Sequence, residues 1–320
     1  MFWMMAMSLA MAGYGDAVDG YPTWAERDMH LWTSAARVDP EAFEPEYNAG
    51  GCSFYEDFSV EEQTPKAPVM WNLDLNKAAR FHSQDMYDNG CFAHESCDGT
   101  SFEARLQRFY DGNGFGENIA SGYPNVYAAV FEGWMCSTHG HRENIMYPAW
   151  EELGTGAVGT LHTQDFGMNG VVARRLAMGV HEPELPVGIA TFWSTYAHPT
   201  GNAPDSLTVV LDGKAHEMVL AYGVEASGIY RADVEVETAC HSYYFSVEVD
   251  GAEERFPETG SYAWGDCMYD DTGAGFIEGQ EAPGGCGCAS GGLVGGGIAW
   301  PLALLGLAWR RRWWTRVSRL

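Results

Sequence analysis

The sequence predicts an α/β region followed by an antiparallel β region and an apolar C-terminal segment. Three observations carry this. Between residues 23 and 137 apolar residues recur at spacings of three and four, with strand-like runs at 153–158 and 170–178. Beyond residue 186 the period falls to two, with Asp-Gly turns between the runs. Residues 289–309 carry no charge and are followed at once by Arg310, Arg311 and Arg312.

The elements follow in order. Residues 1–12 (MFWMMAMSLAMA) are apolar and end in an A-x-A pattern, as a signal peptide does, though no basic residue precedes the run; the plainer alternative is a buried first helix. Residues 23–38 have helical spacing, with Thr23 as cap and Trp24, Met29 and Trp32 turned inward. A loop is expected over 39–68. A second helix is expected over 73–89, where Leu75, Ala78, Ala79, His82 and Met86 share one face and Asn89-Gly90 ends the run. A third is expected over 101–109 with Ser101 as cap, and a fourth over 125–137. Residues 182–186 (EPELP) read as a linker. In the β region, 207–211 turns at Asp212-Gly213 into a pairing strand at 217–221; 234–237 and 243–249 follow, the last ending at Asp250-Gly251. This reads as an immunoglobulin-like antiparallel β-sandwich. A Gly-rich tether over 272–288 leads to the apolar segment.

The chain has 320 residues, enough for two cored domains, and 44 acidic against 18 basic side chains, a net charge of -26. A surface this acidic excludes nucleic acid as a partner, because phosphate binding needs clustered cations. Arginines beyond residue 309 place the C-terminus in the cytoplasm and the bulk of the chain outside. Eight cysteines in an exported chain point to disulfides. Cys91 and Cys97 flank one loop, Cys240 and Cys267 lie together in the β region, and Cys52 and Cys136 remain. Cys286 and Cys288 belong to the tail. Spacing alone does not fix the connectivity.

The candidate site comes from three separate segments. Residues 92–99 (FAHESCDG) carry His94, residues 116–120 (GENIA) carry Glu117, and residues 134–146 (WMCSTHGHRENIM) carry Ser137 and His141. Imidazole is a neutral ligand for zinc-like metals and a base near neutral pH, and a carboxylate beside it can orient the ring. Together with residues 79–86 (ARFHSQDM), these motifs resemble the CAP superfamily of cysteine-rich secretory, antigen 5 and pathogenesis-related proteins, in its bacterial branch. The resemblance covers roughly residues 20–180. It implies an α-β-α sandwich over 20–182, beyond which the period-two pattern puts the β-sandwich at 187–271. It also implies a cavity lined by His94, Glu117, Ser137 and His141, in which His94 and His141 hold a divalent metal such as zinc. Many members have a glutamate where this chain has Ser137, and Ser137 and His141 stand one residue further apart than the family pattern.

The tail, with its Cys pair, apolar span over 289–309 and basic end over 310–320, resembles the MYXO-CTERM type of sorting tail. That resemblance implies processing near the cysteines and display at the cell surface; a permanent single-pass anchor is the alternative. The reading is an exported, surface-held protein acting by binding an extracellular ligand or protein rather than by catalysis. The alternative is a hydrolase acting on peptide or envelope material through Ser137, His141 and Glu117 or through a bound metal. If the fourth helix runs through Gly140, Ser137 and His141 fall four apart and touch, with Glu117 behind the imidazole.

Overall fold

The computed structural model describes residues 13–18, 20–169, 174–184, 188–265 and 267, with the backbone of Gly275–Ile277. The expected signal peptide, apolar span and basic tail, Cys286 and Cys288 lie outside the described residues. Among the described residues no helix is long and apolar enough to cross a membrane.

Helix α1 (Trp24–Val38) starts where expected. Thr23 and Glu26 close a capping box: the Thr23 hydroxyl accepts from Glu26 N–H, and the Glu26 carboxylate accepts from Thr23 N–H at 2.9 Å. The sequence predicts one inward face, but Glu26 to Val38 is buried throughout. The helix is covered on one side by the first sheet and on the other by the second, so its polar residues must find partners inside. Arg27 donates to the Tyr243 hydroxyl at 2.7 Å and lies 3.8 Å over the Tyr262 ring. Arg37 donates to the Ile145 and Ala67 carbonyls.

The expected loop over 39–68 is a series of short helices instead. A 3-10 turn (Pro40–Phe43) leads into α2 (Glu44–Gly50), α3 (Phe54–Asp57) and α4 (Val60–Gln63). Pieces this short show no apolar period to read. Helix α5 (Leu73–Asn89) matches its expected limits, capped by Asn72 and closed by Gly90 in the left-handed region. Ser101 caps α6 (Phe102–Leu106). The fourth helix is α7 (Val126–Ala128) running into a π-helical turn (Ala129–Trp134), and α8 (His141–Ile145) is separate.

The first sheet runs β1 (Met70–Trp71), β3 (Glu152–Val158), β4 (Leu161–Met168), β2 (Asn113–Ser121) in space, with β1 parallel to β3 and the rest antiparallel. Alternation along β3 puts helices on both faces. Thr155 donates to Glu26 O of α1, while Gly154 and Gly156 face α5. A Cβ at Gly156 would sit 2.4 Å from the Ala79 backbone, so α5 rests directly on the strand. Strands β2 and β4 were not read from sequence.

The strand expected at 170–178 is displaced, and residues 170–173 lie outside the described residues. Strand β5 (Leu176–Glu182) belongs to the second sheet, antiparallel to β6 (Ile189–Ala197) across the expected linker. That sheet runs β5, β6, β10 (Ser227–Glu235), β9 (Val219–Val224). The third runs β14 (Gly275–Ile277), β13 (Gly260–Trp264), β11 (His241–Val249), β7 (Ser206–Leu211), β8 (Lys214–Glu217), with β12 (Ala252–Phe256) also on β11.

Both Asp-Gly turns are present, and each has positive φ at Asp and Gly, as the hairpin turn requires. The expected pairing strand at 217–221 is corrected: β8 pairs β7 at 214–217, and the chain crosses at buried Met218 into β9 of the other sheet. Strand β14 falls inside the stretch expected as a tether.

Disulfides join Cys52 to Cys136, Cys91 to Cys97 and Cys240 to Cys267, the three pairs expected.

Candidate functional site

Three local structures bring the expected residues together. The Cys91–Cys97 bridge closes the loop that follows α5 and carries His94. Strand β2 carries Glu117, whose side chain is almost completely buried. The turn between Trp134 and α8 carries Ser137, and α8 opens with His141.

Glu117 is the hub. Its Oε1 lies 2.8 Å from His94 Nδ1, and its Oε2 accepts from Arg105 Nη2. Fully buried Arg105 also donates to the His94 carbonyl at 2.8 Å, so one guanidinium ties the loop backbone to the carboxylate. The Glu117 bond is the main reason the His94 imidazole holds its proton above its ordinary pKa. Burial pushes His141 the other way, reinforced by His94 and His139 nearby. Thus the two rings sense each other, and of the two His94 charges first.

His141 Nδ1 lies 2.8 Å from Ser137 Oγ. The contact expected of a continuous helix is present without the helix. Gly140 sits at φ 91 and starts α8 afresh, and the turn brings the two side chains together. The triad reading expects Glu117 behind His141; instead Glu117 is bonded to His94. His139 is exposed, as expected. Arg142 bonds Glu62 and the Met135 and Asp57 carbonyls, and Asn144 bonds Asn118, so both fix the turn.

Three contributors were missed or underread in the sequence. Arg105 lies in a helix read only for its cap. His82, read as a core-edge residue, is buried with Nε2 at 3.0 Å from Ala93 O and 3.9 Å from Glu117 Oε2. Asp165 faces Glu117 across the β2–β4 ladder, fully buried, and burial together with the Glu117 charge holds its carboxyl protonated well above the usual range. The alternating signal that would have placed Asp165 is masked because β4 buries His162, Thr163, Gln164 and Asp165 in succession.

Each of the two imidazoles has one ring nitrogen left over. Both Nδ1 atoms are engaged, and among the described residues neither Nε2 of His94 nor Nε2 of His141 has a hydrogen-bond partner. A carboxylate behind a ligating imidazole is the usual support of metal-bound histidine. Among the described residues the one set of three His, Cys or acidic ligand atoms within 4.8 Å is Asp85, Cys91 and Cys97, whose sulfurs are bonded to each other. Among the described residues no set of three such ligand atoms at that spacing includes His94 or His141.

Residues 62–172 match the family described as CAP, the cysteine-rich secretory protein family. The chain carries a CAP domain of the kind found in bacterial proteins. Two curated relatives from Bacillus subtilis (strain 168) are similar over this stretch. The uncharacterized membrane protein YlbC is 36% identical over 101 residues, 31% of this chain and 29% of the relative. The uncharacterized protein YkwD is 36% identical over 102 residues, 31% of this chain and 39% of the relative. The chain thus spans well under half the length of either. Among solved structures, an extracellular protein containing a SCP domain from Bacillus anthracis str. Ames is 32% identical, covering 32% of this chain and 35% of that one, with a TM-score of 0.31. An outer surface protein from Borrelia burgdorferi is 18% identical, covering 49% of this chain and 99% of that one, with a TM-score of 0.33. The three disulfides of the described residues are those of a chain that folds in an oxidising compartment, outside the cytosol.

The His94–Glu117 pair of the CAP domain makes a pH prediction. A histidine whose folded-state pKa is raised stabilises the fold below its unfolded value, near 6.5, and the stabilisation is lost as pH rises through the folded value. Glu117→Gln should therefore lower the midpoint at which His94 titrates in an NMR pH series. An unchanged midpoint would mean that Glu117 does not hold the proton.

Proposed function

We propose that the protein is exported and held at the cell surface, where its CAP domain binds an extracellular ligand or protein at a site that takes a divalent metal such as zinc on His94 and His141. The observation that carries this reading is the pair of unengaged Nε2 atoms, each on an imidazole whose Nδ1 is already fixed, by Glu117 and by Ser137. A bound cation would supply a positive, Lewis-acidic centre with positions open to water or ligand, since among the described residues no third His, Cys, Asp or Glu forms a close ligand set with the two histidines.

Attachment is supported by the sequence of the tail. Residues 289–309 are the length of a membrane span, the arginines follow, and Cys286 and Cys288 precede, as in a sorting tail processed near its cysteines. The name of one relative, a membrane protein, agrees with this. In this reading residues 1–12 are the signal peptide, and the CAP domain and β-sandwich stand outside the membrane.

Calorimetric titration of zinc into the whole protein tests the metal site. Cutting the chain near residue 185 would separate β5 from its partner β6, so the full chain is used. Saturable one-to-one binding is expected, lost in His94→Ala/His141→Ala and weakened as pH falls and both rings are protonated. Binding that survives the double substitution would refute the assignment.

The hydrolase reading is favoured by one observation, Ser137 Oγ at 2.8 Å from His141 Nδ1. It lacks an orienting carboxylate on His141, because Glu117 is spent on His94. Ser137→Ala separates the readings: it should leave zinc binding in place and abolish any serine-dependent hydrolysis.

A further inference from the structure

The second sheet ends in an edge that lacks most of the usual protection. Strand β9 (VLAYGV) is the last strand beyond β10, and its outer side carries no further strand. Natural edge strands are commonly blunted by lysine, proline or an inward-pointing charge. Strand β9 has none of these. It carries one bulge, opposite Ile229–Tyr230, and its Gly223 N–H is taken by Asp39; Val219 to Tyr222 remain.

Val219, Leu220 and Val224 of this edge are apolar and exposed, while Ala221 and Tyr222 are half-buried against the core. Val219 and Val224 are each 63% exposed, and Leu220 is 36% exposed. A groove of about 590 Å3 runs beside Val219 and Leu220, bounded by Glu217 and Asp233, and one of about 450 Å3 lies beside Leu220 and Val224, bounded by Ala203 and Glu225. The charges around the apolar strip are one-sided. Glu217, Glu225, Asp233, Glu235 and Glu237 are exposed, and Arg231, the cation of the first groove, is already paired to Asp233. A second copy of this chain would bring the same carboxylates against these, in a protein of net charge -26.

We propose that β9 is a docking edge for an extended segment of a partner protein, apolar in the middle and basic at its ends, which adds to the second sheet as a fifth strand. Main-chain bonds to Val219–Tyr222 would hold the segment, alternate apolar side chains would fill the two grooves, and flanking lysines or arginines would meet Glu217 and the acidic row. The surface is separate from His94 and His141, so it does not rest on the metal reading.

The test uses the full chain and a labelled peptide, KVTVTVTK, followed by fluorescence anisotropy at low ionic strength. Saturable binding is expected. It should weaken at least about tenfold for EVTVTVTE, for KVTVTVTK methylated at alternate backbone nitrogens, which cannot complete a ladder, and for the protein variant Val219→Lys/Val224→Lys. Both valines are largely in solvent, so the variant should keep its melting temperature. Absence of saturable binding overturns the proposal. Equal binding of the methylated peptide overturns strand addition, and equal binding by the lysine variant overturns the location. A dimer in sedimentation, dispersed by the lysine variant, overturns the basic partner in favour of a second copy.

Discussion

Replacing Arg105 with methionine is expected to destabilise the protein by about 3–5 kcal/mol, the cost of removing one partner from a buried ion pair. Methionine has similar bulk and leaves no large void, so the loss would come from charge and hydrogen bonding. Two things are lost at once. Glu117 is left with its carboxylate inside the protein, beside Asp165 and without its cation. The loop that carries His94 loses the bond from Arg105 to its carbonyl. A stranded carboxylate is costly in its ionised form, and a protonated His94 beside it offsets part of that cost, so the destabilisation should be larger at pH 8 than at pH 5, where His94 carries its proton. Urea unfolding of Arg105→Met beside wild type at both pH values measures this. An equal, small loss at both would mean that the guanidinium does not neutralise Glu117. The same variant should weaken zinc binding, because His94 would no longer be held in place.

The sequence showed this site in pieces and left out its interior. His94, Glu117 and His141 were legible because each sits in a short motif with a local reason for its shape: a bridged loop, a strand next to glycine, a turn before a helix. Arg105, His82 and Asp165 were not, because their role is to fill the space between segments, and nothing local marks that. The same physics explains the missed strands. Burial patterns identify a strand when one face is apolar and the other wet, but β4 is central, with His162, Thr163, Gln164 and Asp165 all inside. Two of its hydrophilic residues bond neighbouring elements, Gln164 to Asn118 of β2 and Thr33 of α1, and Thr163 to Ser83 of α5. In α1 and α5, by contrast, a cap at one end and a three-four period between gave the limits. The crossing from β8 to β9 turns on one buried methionine, too small a signal to separate two strands read as one.

Removing the bridge between Cys52 and Cys136 should be the other large loss. It closes a loop with a sequence separation of 84, and fixing the ends of a loop that long lowers the entropy of the unfolded chain by about 4.6 kcal/mol in the chain-entropy account. Measured losses for native bridges lie at about 2–5 kcal/mol, so Cys52→Ser/Cys136→Ser should fall within that range, read as a shift in the denaturant midpoint with an oxidised wild-type control. The bridge also has a local task. Helix α2 lies against the turn at Ala129–Trp134 so closely that a Cβ at Gly50 would sit 2.8 Å from the Glu132 backbone. Cys136 adjoins Ser137, the residue that holds His141 Nδ1. If the bridge only shortens the unfolded chain, the variant will be less stable but bind zinc as wild type does. If it also sets the turn, zinc affinity will fall with stability, and the fall will remain at temperatures where the variant is fully folded. A midpoint unmoved by the double substitution would refute the chain-entropy account for this bridge.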